Sequence, residues 1–300
     1  MLIEPSDKLP NGKLKFIHDT PSKEFERIIL EKLWARYQPY ADANFKTAIA
    51  SDFQSRFWEM YLAVTLLDLG FNLRRRLELG NEGPDISIQT ENTNIWLEAI
   101  ACGTIPDDFA ESENGDPIDE SVILRYTSVI AEKFNKYEKY LQEGILSDSE
   151  PYIIAINGSR VPFALQVDNR ANIIPDIIKS VMSFGDYAIV VDQCTNQIVK
   201  SGYTHRPHII KPSGKSVQTN IFLDQKYAGI SAILYSNMDI TGIPNEYGND
   251  ILIFHNPIAA NPLPRGWLRV GYEYCLEGYI LSKKDWKGPN VGSIGQRLHH

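Results

Sequence analysis

The segment "GPDISIQTENTNIWLEAIA", residues 83–101, decides how this chain is read. Ile86 and Ile88 alternate with Asp85, Ser87 and Gln89, and Ile95, Leu97 and Ala99 alternate with Trp96, Glu98 and Ile100. A period of two marks a strand with one face buried. The polar residues between the two runs make the pair an antiparallel hairpin. Matching the apolar sets requires an even loop. A loop over residues 91–94 puts Thr90 opposite Ile95 and Ser87 opposite Glu98. Asp85 is then the diagonal neighbour of Glu98 on the same face. Diagonal partners lie about 7–8 Å apart at the backbone, near enough for two acidic side chains to share a cation.

Outward from the hairpin the periodicity changes. "PSKEFERIILEKLWARY" (21–37) has helical spacing, with Phe25, Ile28, Ile29, Leu33 and Trp34 on one side and Thr20 or Ser22 as its cap. A second helix is expected from residue 51 or 52 to about 69, ended by Gly70. Strands are expected at 71–79, 85–90 and 95–101, a long helix at 121–142, a strand at 151–157, a helix at 173–182 and a strand at 186–192. Residues 198–224 read as an irregular hairpin, 229–236 and 251–257 as strands, and the tail from Pro262 is weakly patterned. This order predicts a single α/β domain, a mixed β-sheet with helices on both faces. Its parts are an N-terminal helical segment (1–50), an α/β core (51–197) and a C-terminal extension (198–300) completing the same domain.

Composition narrows the function classes. Three hundred residues can bury a substantial core, and 43% hydrophobic with 23% charged residues is ordinary for a soluble globular chain. No apolar run has the length of a membrane span, and "MLIEPSDKLPNG" lacks the apolar stretch of a secretory leader, so no membrane partner and a cytoplasmic location are expected. Cys102, Cys194 and Cys275 are isolated, which indicates neither a disulfide framework nor a zinc site. The net charge of −8 opposes indiscriminate binding to phosphate backbones. A local basic groove remains open, with clusters at 74–76, at Lys133, Lys136 and Lys139, and at Lys283, Lys284 and Lys287. Much of the acid sits in "PDDFAESENGDPIDE" (106–120), read as a surface loop.

Three motifs are discarded. "PSGKS" (212–216) lacks the glycine that a phosphate-binding loop needs at position 209, which is isoleucine, and reads as a hairpin turn. His205 and His208 have no helix or acidic partner to support a metal site. "VGSIG" (291–295) has valine where a nucleophile elbow needs glycine.

A third acid joins Asp85 and Glu98. In the apolar helix "RFWEMYLAVTLLDLG", Glu59 has Leu62, Ala63 and Leu66 at its +3, +4 and +7 positions. An ionised carboxylate on an apolar patch is costly unless it is paired or holds a metal. Singly, each acid has a plain structural role: Glu59 pairs with Arg56, Asp85 serves a turn, and Glu98 charges an edge strand. Jointly, three acids converging on one sheet edge point to metal binding.

A helix glutamate, Pro84-Asp85 opening a strand, Glu98 in the partner strand, then a helix and a strand: in this order residues 51–160 resemble the PD-(D/E)XK nuclease superfamily, with its restriction-endonuclease-like core. The resemblance implies hydrolysis of phosphodiester bonds, DNA as the nucleic acid, and Mg²⁺ (or Mn²⁺) as cofactor. Asp85 and Glu98 would hold the metal, with Glu59 assisting; hard oxygens suit such an ion. One position departs from the pattern. The family lysine two residues after the strand acid is Ile100 here. A replacement would come from the 121–142 helix, where Tyr126, Ile130, Phe134, Tyr137 and Leu141 mark the packed face. Lys133 falls on the margin of that face, and Lys136 and Lys139 turn outward. Lys133 is therefore either the transplanted catalytic lysine or a snorkelling side chain, with Lys136 the next candidate. Two other readings stand beside the nuclease. One is a catalytically impaired nuclease fold that binds nucleic acid or a protein partner; the other is a carboxylate-pair hydrolase such as a glycosidase. Residues 198–300 lie outside the resemblance and are the place for target recognition or a homodimer surface.

Overall fold

The computed structural model describes residues 2–3, 8–80, 82–103, 118–161, 173–211, 213–278, 280–287 and 294–297. In it, β1 (Ile86–Gln89) and β2 (Asn94–Ala101) form the expected hairpin at one edge of the main sheet. Their register is two residues tighter than the sequence suggested: Ile86 faces Leu97, Ser87 faces Trp96 and Ile88 faces Ile95. The turn is responsible. The Thr90 hydroxyl donates to the Thr93 carbonyl at 2.6 Å and accepts from the Thr93 N–H at 3.1 Å, closing the loop on Glu91 and Asn92 alone. A slip of two leaves every side chain on its own face, so the apolar sets still meet. The slip also carries Asp85 from the diagonal to the position directly opposite Glu98 in line with the ladder.

Among the described residues the main sheet has eight strands, in the order β1-β2-β3-β8-β9-β10-β11-β12. Here β3 is Tyr152–Asn157, β8 Ile230–Ser236, β9 Leu252–His255, β10 Tyr272–Glu277, β11 Ile280–Asp285 and β12 Ile294–Arg297. The sheet is mixed: β2, β3 and β8 run parallel, β9 turns antiparallel to β8, and β10 is parallel to β9. Four helices, α1 (Lys13–Asp19), α2 (Glu24–Tyr37), α3 (Phe45–Ser51) and α4 (Phe53–Asp68), share one core with Ile86, Ile88, Ile95 and Leu97. The other core joins α5 (Ile118–Gln142) and α6 (Asp176–Lys179) to Trp96, Ile154 and Ile156. This is a mixed α/β fold with helices on both faces. Trp58 of α4 is fully buried and its indole N–H donates to the Ala155 carbonyl at 3.0 Å, fastening helix to sheet. Truncating an aromatic in such a place costs about 3–5 kcal/mol.

Several elements differ from their sequence reading. Residues 71–79 are not a strand: a single bridge joins Leu73 to Ile88, and a short 3₁₀ turn follows at Arg76–Leu79. The outer edge of β1 is thereby covered, through Arg74 N–H to Ser87 O at 2.9 Å and Gln89 N–H to Asn72 O at 2.8 Å. In α2, Phe25 and Ile28 are exposed, and the buried face carries Glu26, Ile29, Leu30, Leu33, Trp34 and Tyr37. Neither Thr20 nor Ser22 caps it; a 3₁₀ turn over Pro21–Lys23 leads in without a side-chain cap. α3 was not anticipated, and α6 is only four residues long. The 186–192 run belongs to β4 (Phe184–Val191), which pairs with β5 (Ile198–His205) in a separate, largely exposed ribbon and not in the main sheet. Its apolar run identifies it as a strand but cannot say what packs on it. The weakly patterned tail supplies β10, β11 and β12.

A second small ribbon, β6 (His208–Ile210) with β7 (Ser216–Gln218), has Ser213, Gly214 and Lys215 at its turn, where Gly214 adopts a positive φ of 79°. Most of the acidic 106–120 stretch and of "VGSIG" lies outside the described residues. No helix among the described residues is long and apolar enough to cross a membrane.

Candidate active site

Glu98 sits in the middle of β2 with 1% of its surface exposed, on the face turned toward α5. Three side chains of that helix meet it. Lys133 Nζ and Lys136 Nζ donate to Oε1 at 3.2 and 2.5 Å, and the Tyr140 hydroxyl donates to Oε2 at 3.4 Å. Offsets of three and seven along a helix fall on one stripe, which is why these residues converge. An isolated carboxylate at this depth would cost several kcal/mol; here two ammonium groups balance it. Lys133 is buried, at 7% exposure, and also lies 3.6 Å from Glu132. Lys136 keeps 43% of its side chain in solvent. Burial works against the charged form of Lys136, but Glu98 outweighs it and raises the ammonium's pKa. Burial and the Glu98 charge push the Tyr140 phenol up to about 12. Ile100, two residues beyond Glu98, packs partly buried in the apolar cluster on this face. Cationic groups therefore reach the strand acid from the helix and not from the strand.

Asp85 follows Gly83, whose φ of 93° lies in the left-handed region that a side chain would strain. The Asp85 Oδ2 accepts the Ala99 N–H at 2.8 Å, so the carboxylate continues the ladder past the end of β1. Tyr140 links Glu98 to the backbone two residues before Asp85, since its hydroxyl also lies 3.2 Å from the Gly83 carbonyl, to which Arg76 donates at 3.1 Å. Burial raises the Asp85 carboxyl well above the usual aspartate range, and the like charges of Glu98 and Glu59 add to it. Lys136 and the Ala99 N–H pull the other way without prevailing.

Glu59 is buried on α4. Tyr37 donates to its Oε1, and Arg56 donates to its Oε2 at 2.8 Å while also holding Asp42 at 3.3 Å. Burial lifts the Glu59 carboxyl above its ordinary value, against the pull of Tyr37 and Arg56. Its charge is felt at Asp85. The expected convergence of three acids in one cluster does not occur: among the described residues, no group of three or more His, Cys, Asp or Glu side chains is arranged to hold a metal ion. The reason is topological. α4 and α5 cover opposite faces, so the sheet stands between Glu59 and Glu98, and Asp85 lies at the edge.

The donor chemistry of Asp85 and Glu98 nonetheless fits a hard divalent cation. Mg²⁺ is commonly held by one or two carboxylates, its remaining positions being filled by water and substrate phosphate. A carboxyl kept from ionising by burial and neighbouring acids is one that a cation would ionise. Sequence reasoning named Lys133 and kept Lys136 in reserve, but it missed Tyr140 and Tyr37. For Tyr140 a signal existed, because it falls seven residues after Lys133 on the same stripe. Tyr37 had none, since its meeting with Glu59 is made by helix packing. No family model, curated protein or solved structure matches this chain.

Proposed function

We propose that this protein is a metal-dependent nuclease that hydrolyses phosphodiester bonds in DNA. The observation that carries the reading is the meeting of Lys133 and Lys136 on Glu98 Oε1, directly across the strand pair from Asp85. Ile100 leaves the strand without its own cation, and α5 provides two. In this reading Asp85 and Glu98 would hold Mg²⁺ or Mn²⁺, which when bound would supply Lewis-acid activation for phosphodiester hydrolysis. Glu59, bound to Arg56 and Tyr37, assists from the other face by deepening the negative field at Asp85. Lys133 stabilises charge developing on the phosphate. Lys136, half in solvent, meets the phosphate first, and Tyr140 holds Glu98 and the Gly83 peptide in register.

A second reading has its own support. Glu98 already accepts from two ammonium groups and a phenol, so a nuclease fold that binds nucleic acid or a protein without cutting would look the same. Cleavage of supercoiled, linear duplex and single-stranded DNA, with Mg²⁺, Mn²⁺ or chelator, separates the two. The nuclease reading requires cutting that chelator stops and that the Asp85→Asn, Glu98→Gln double variant loses. Binding with no cutting in either metal favours the second reading. Strand cleavage that survives chelator contradicts metal dependence, and hydrolysis of a glycoside substrate in chelator points instead to a carboxylate-pair hydrolase.

A further inference from the structure

The segment outside the catalytic reading has a charge of its own. Residues 198–226 carry Lys200, Arg206, Lys211, Lys215 and Lys226 against Asp224 alone, in a chain whose net charge is −8. The two ribbons, β4–β5 and β6–β7, stand apart from the main sheet, and with their turns (184–218) they carry Lys200, Arg206, Lys211 and Lys215 against Asp186 and Asp192, a net positive charge. Among the described residues, Lys200, Lys211 and Lys215 have no acidic partner. Arg206, by contrast, is spent internally, 3.6 Å from Glu120 and 3.8 Å from Asp186. Lys200 opens onto a shallow trough of about 290 Å³ shaped by the small residues Ala188 and Gly202. Beside it Val190 and Ile198 are exposed, although apolar side chains seldom line a ribbon that meets only water.

The second ribbon is also packed on the helix that carries the candidate lysines. Ile209 and Val217 of the second ribbon pack on Ile123 and Leu124 of α5. From Leu124 to Lys136 the same helix rises about 18 Å, half of one turn of B-form DNA. We infer that the two ribbons are a docking surface for double-stranded DNA, on which Lys200, Lys211 and Lys215 neutralise backbone phosphates while α5 carries the catalytic lysines alongside the same duplex. Charge complementarity selects a polyanion. The shape selects B-form DNA, whose major groove admits a two-stranded ribbon, whereas the deep groove of A-form RNA does not. The exposed valine and isoleucine suit sugar rings and thymine methyl groups. This inference rests on the nuclease reading for its substrate, but not on cleavage itself.

The test is binding of the full chain to a fluorescent 30-base-pair DNA duplex in chelator, across a salt series, so that no strand is cut. For Lys200→Glu, Lys211→Glu, Lys215→Glu the expected result is a Kd raised by roughly tenfold or more, with the slope of log K against log salt reduced by about 2.7, or 0.9 per lost phosphate contact. The glutamine triple variant, which adds no repulsion, should show the same slope change, and thermal unfolding certifies both folds. Wild-type affinity and slope in the glutamine variant overturn the inference. So does equal affinity of the wild type for duplex RNA. Outcomes for the two readings remain distinct. A wild type that cuts DNA while the variants bind it unchanged refutes the docking surface alone; a wild type that binds through the ribbons and never cuts with metal refutes the nuclease alone.

Discussion

Replacing Lys133 by methionine separates a catalytic lysine from a snorkelling one. The substitution removes one charged hydrogen bond, 3.2 Å to Glu98 Oε1, and leaves a stem of similar volume in place. Orphaning a buried ion-pair partner ordinarily costs about 3–5 kcal/mol. Glu98 is not orphaned here, because Lys136 stays on the same oxygen at 2.5 Å. The expected destabilisation is therefore that of one charged hydrogen bond with partial compensation, about 1–2 kcal/mol, and a fall in Tm of a few degrees. The expected loss in kcat/KM is far larger in effect, about 10²–10³-fold, as for removal of one preorganised donor from a developing charge. Cleavage of a labelled duplex with Mn²⁺ measures the rate, thermal unfolding the stability, and calorimetric titration the metal affinity, which should scarcely change. Lys133→Met protein that cuts at the wild-type rate refutes the assignment and passes the role to Lys136. A stability loss near 4 kcal/mol would refute the compensation reasoning instead.

Two further predictions concern carboxyl groups held away from their ordinary titration. The Asp85 carboxyl is raised in the folded protein, so the native state pays to ionise it and loses stability as pH rises through that raised value. Asp85→Asn in chelator should be more stable than wild type at neutral pH, with the difference vanishing below about pH 4; urea unfolding from acid to neutral pH checks this, and a less stable variant at neutral pH contradicts it. Burial pushes the Glu273 carboxyl up, but hydrogen bonds from His255 at 2.8 Å, the Gly266 N–H at 2.7 Å and the Trp286 indole at 3.2 Å prevail and hold it below its ordinary value. Its contribution is present above the usual glutamate range and disappears as pH falls through the lowered value. Glu273→Gln should thus cost about 1–2 kcal/mol at neutral pH and almost nothing in acid, and an equal cost at both extremes would contradict it.

The sequence by itself settled what repeats along one element. Alternation fixed the faces of the β1–β2 hairpin, because a strand cannot slip by one residue without exposing its apolar set. The same rule explains why the register escaped: a slip of two preserves every face, and the choice fell to the Thr90–Thr93 hydrogen bonds that close the turn. The helical period put Lys133 at the margin of the packed face of α5, and the structure buries it there against Glu98. For α2 the period was ambiguous, since apolar residues occur on both sides of the helix, and only docking against α3 and α4 chose to bury Tyr37 and leave Phe25 exposed. The tertiary structure alone decided how the acids are divided. Periodicity gives no sign of which face of a sheet a helix will cover, so nothing in the chain near Glu59 shows that the sheet will part it from Glu98. Lys136 also came to Glu98 by reach. Its long side chain bends from an outward position toward a buried charge, and no residue spacing records where a charge on another element will stand.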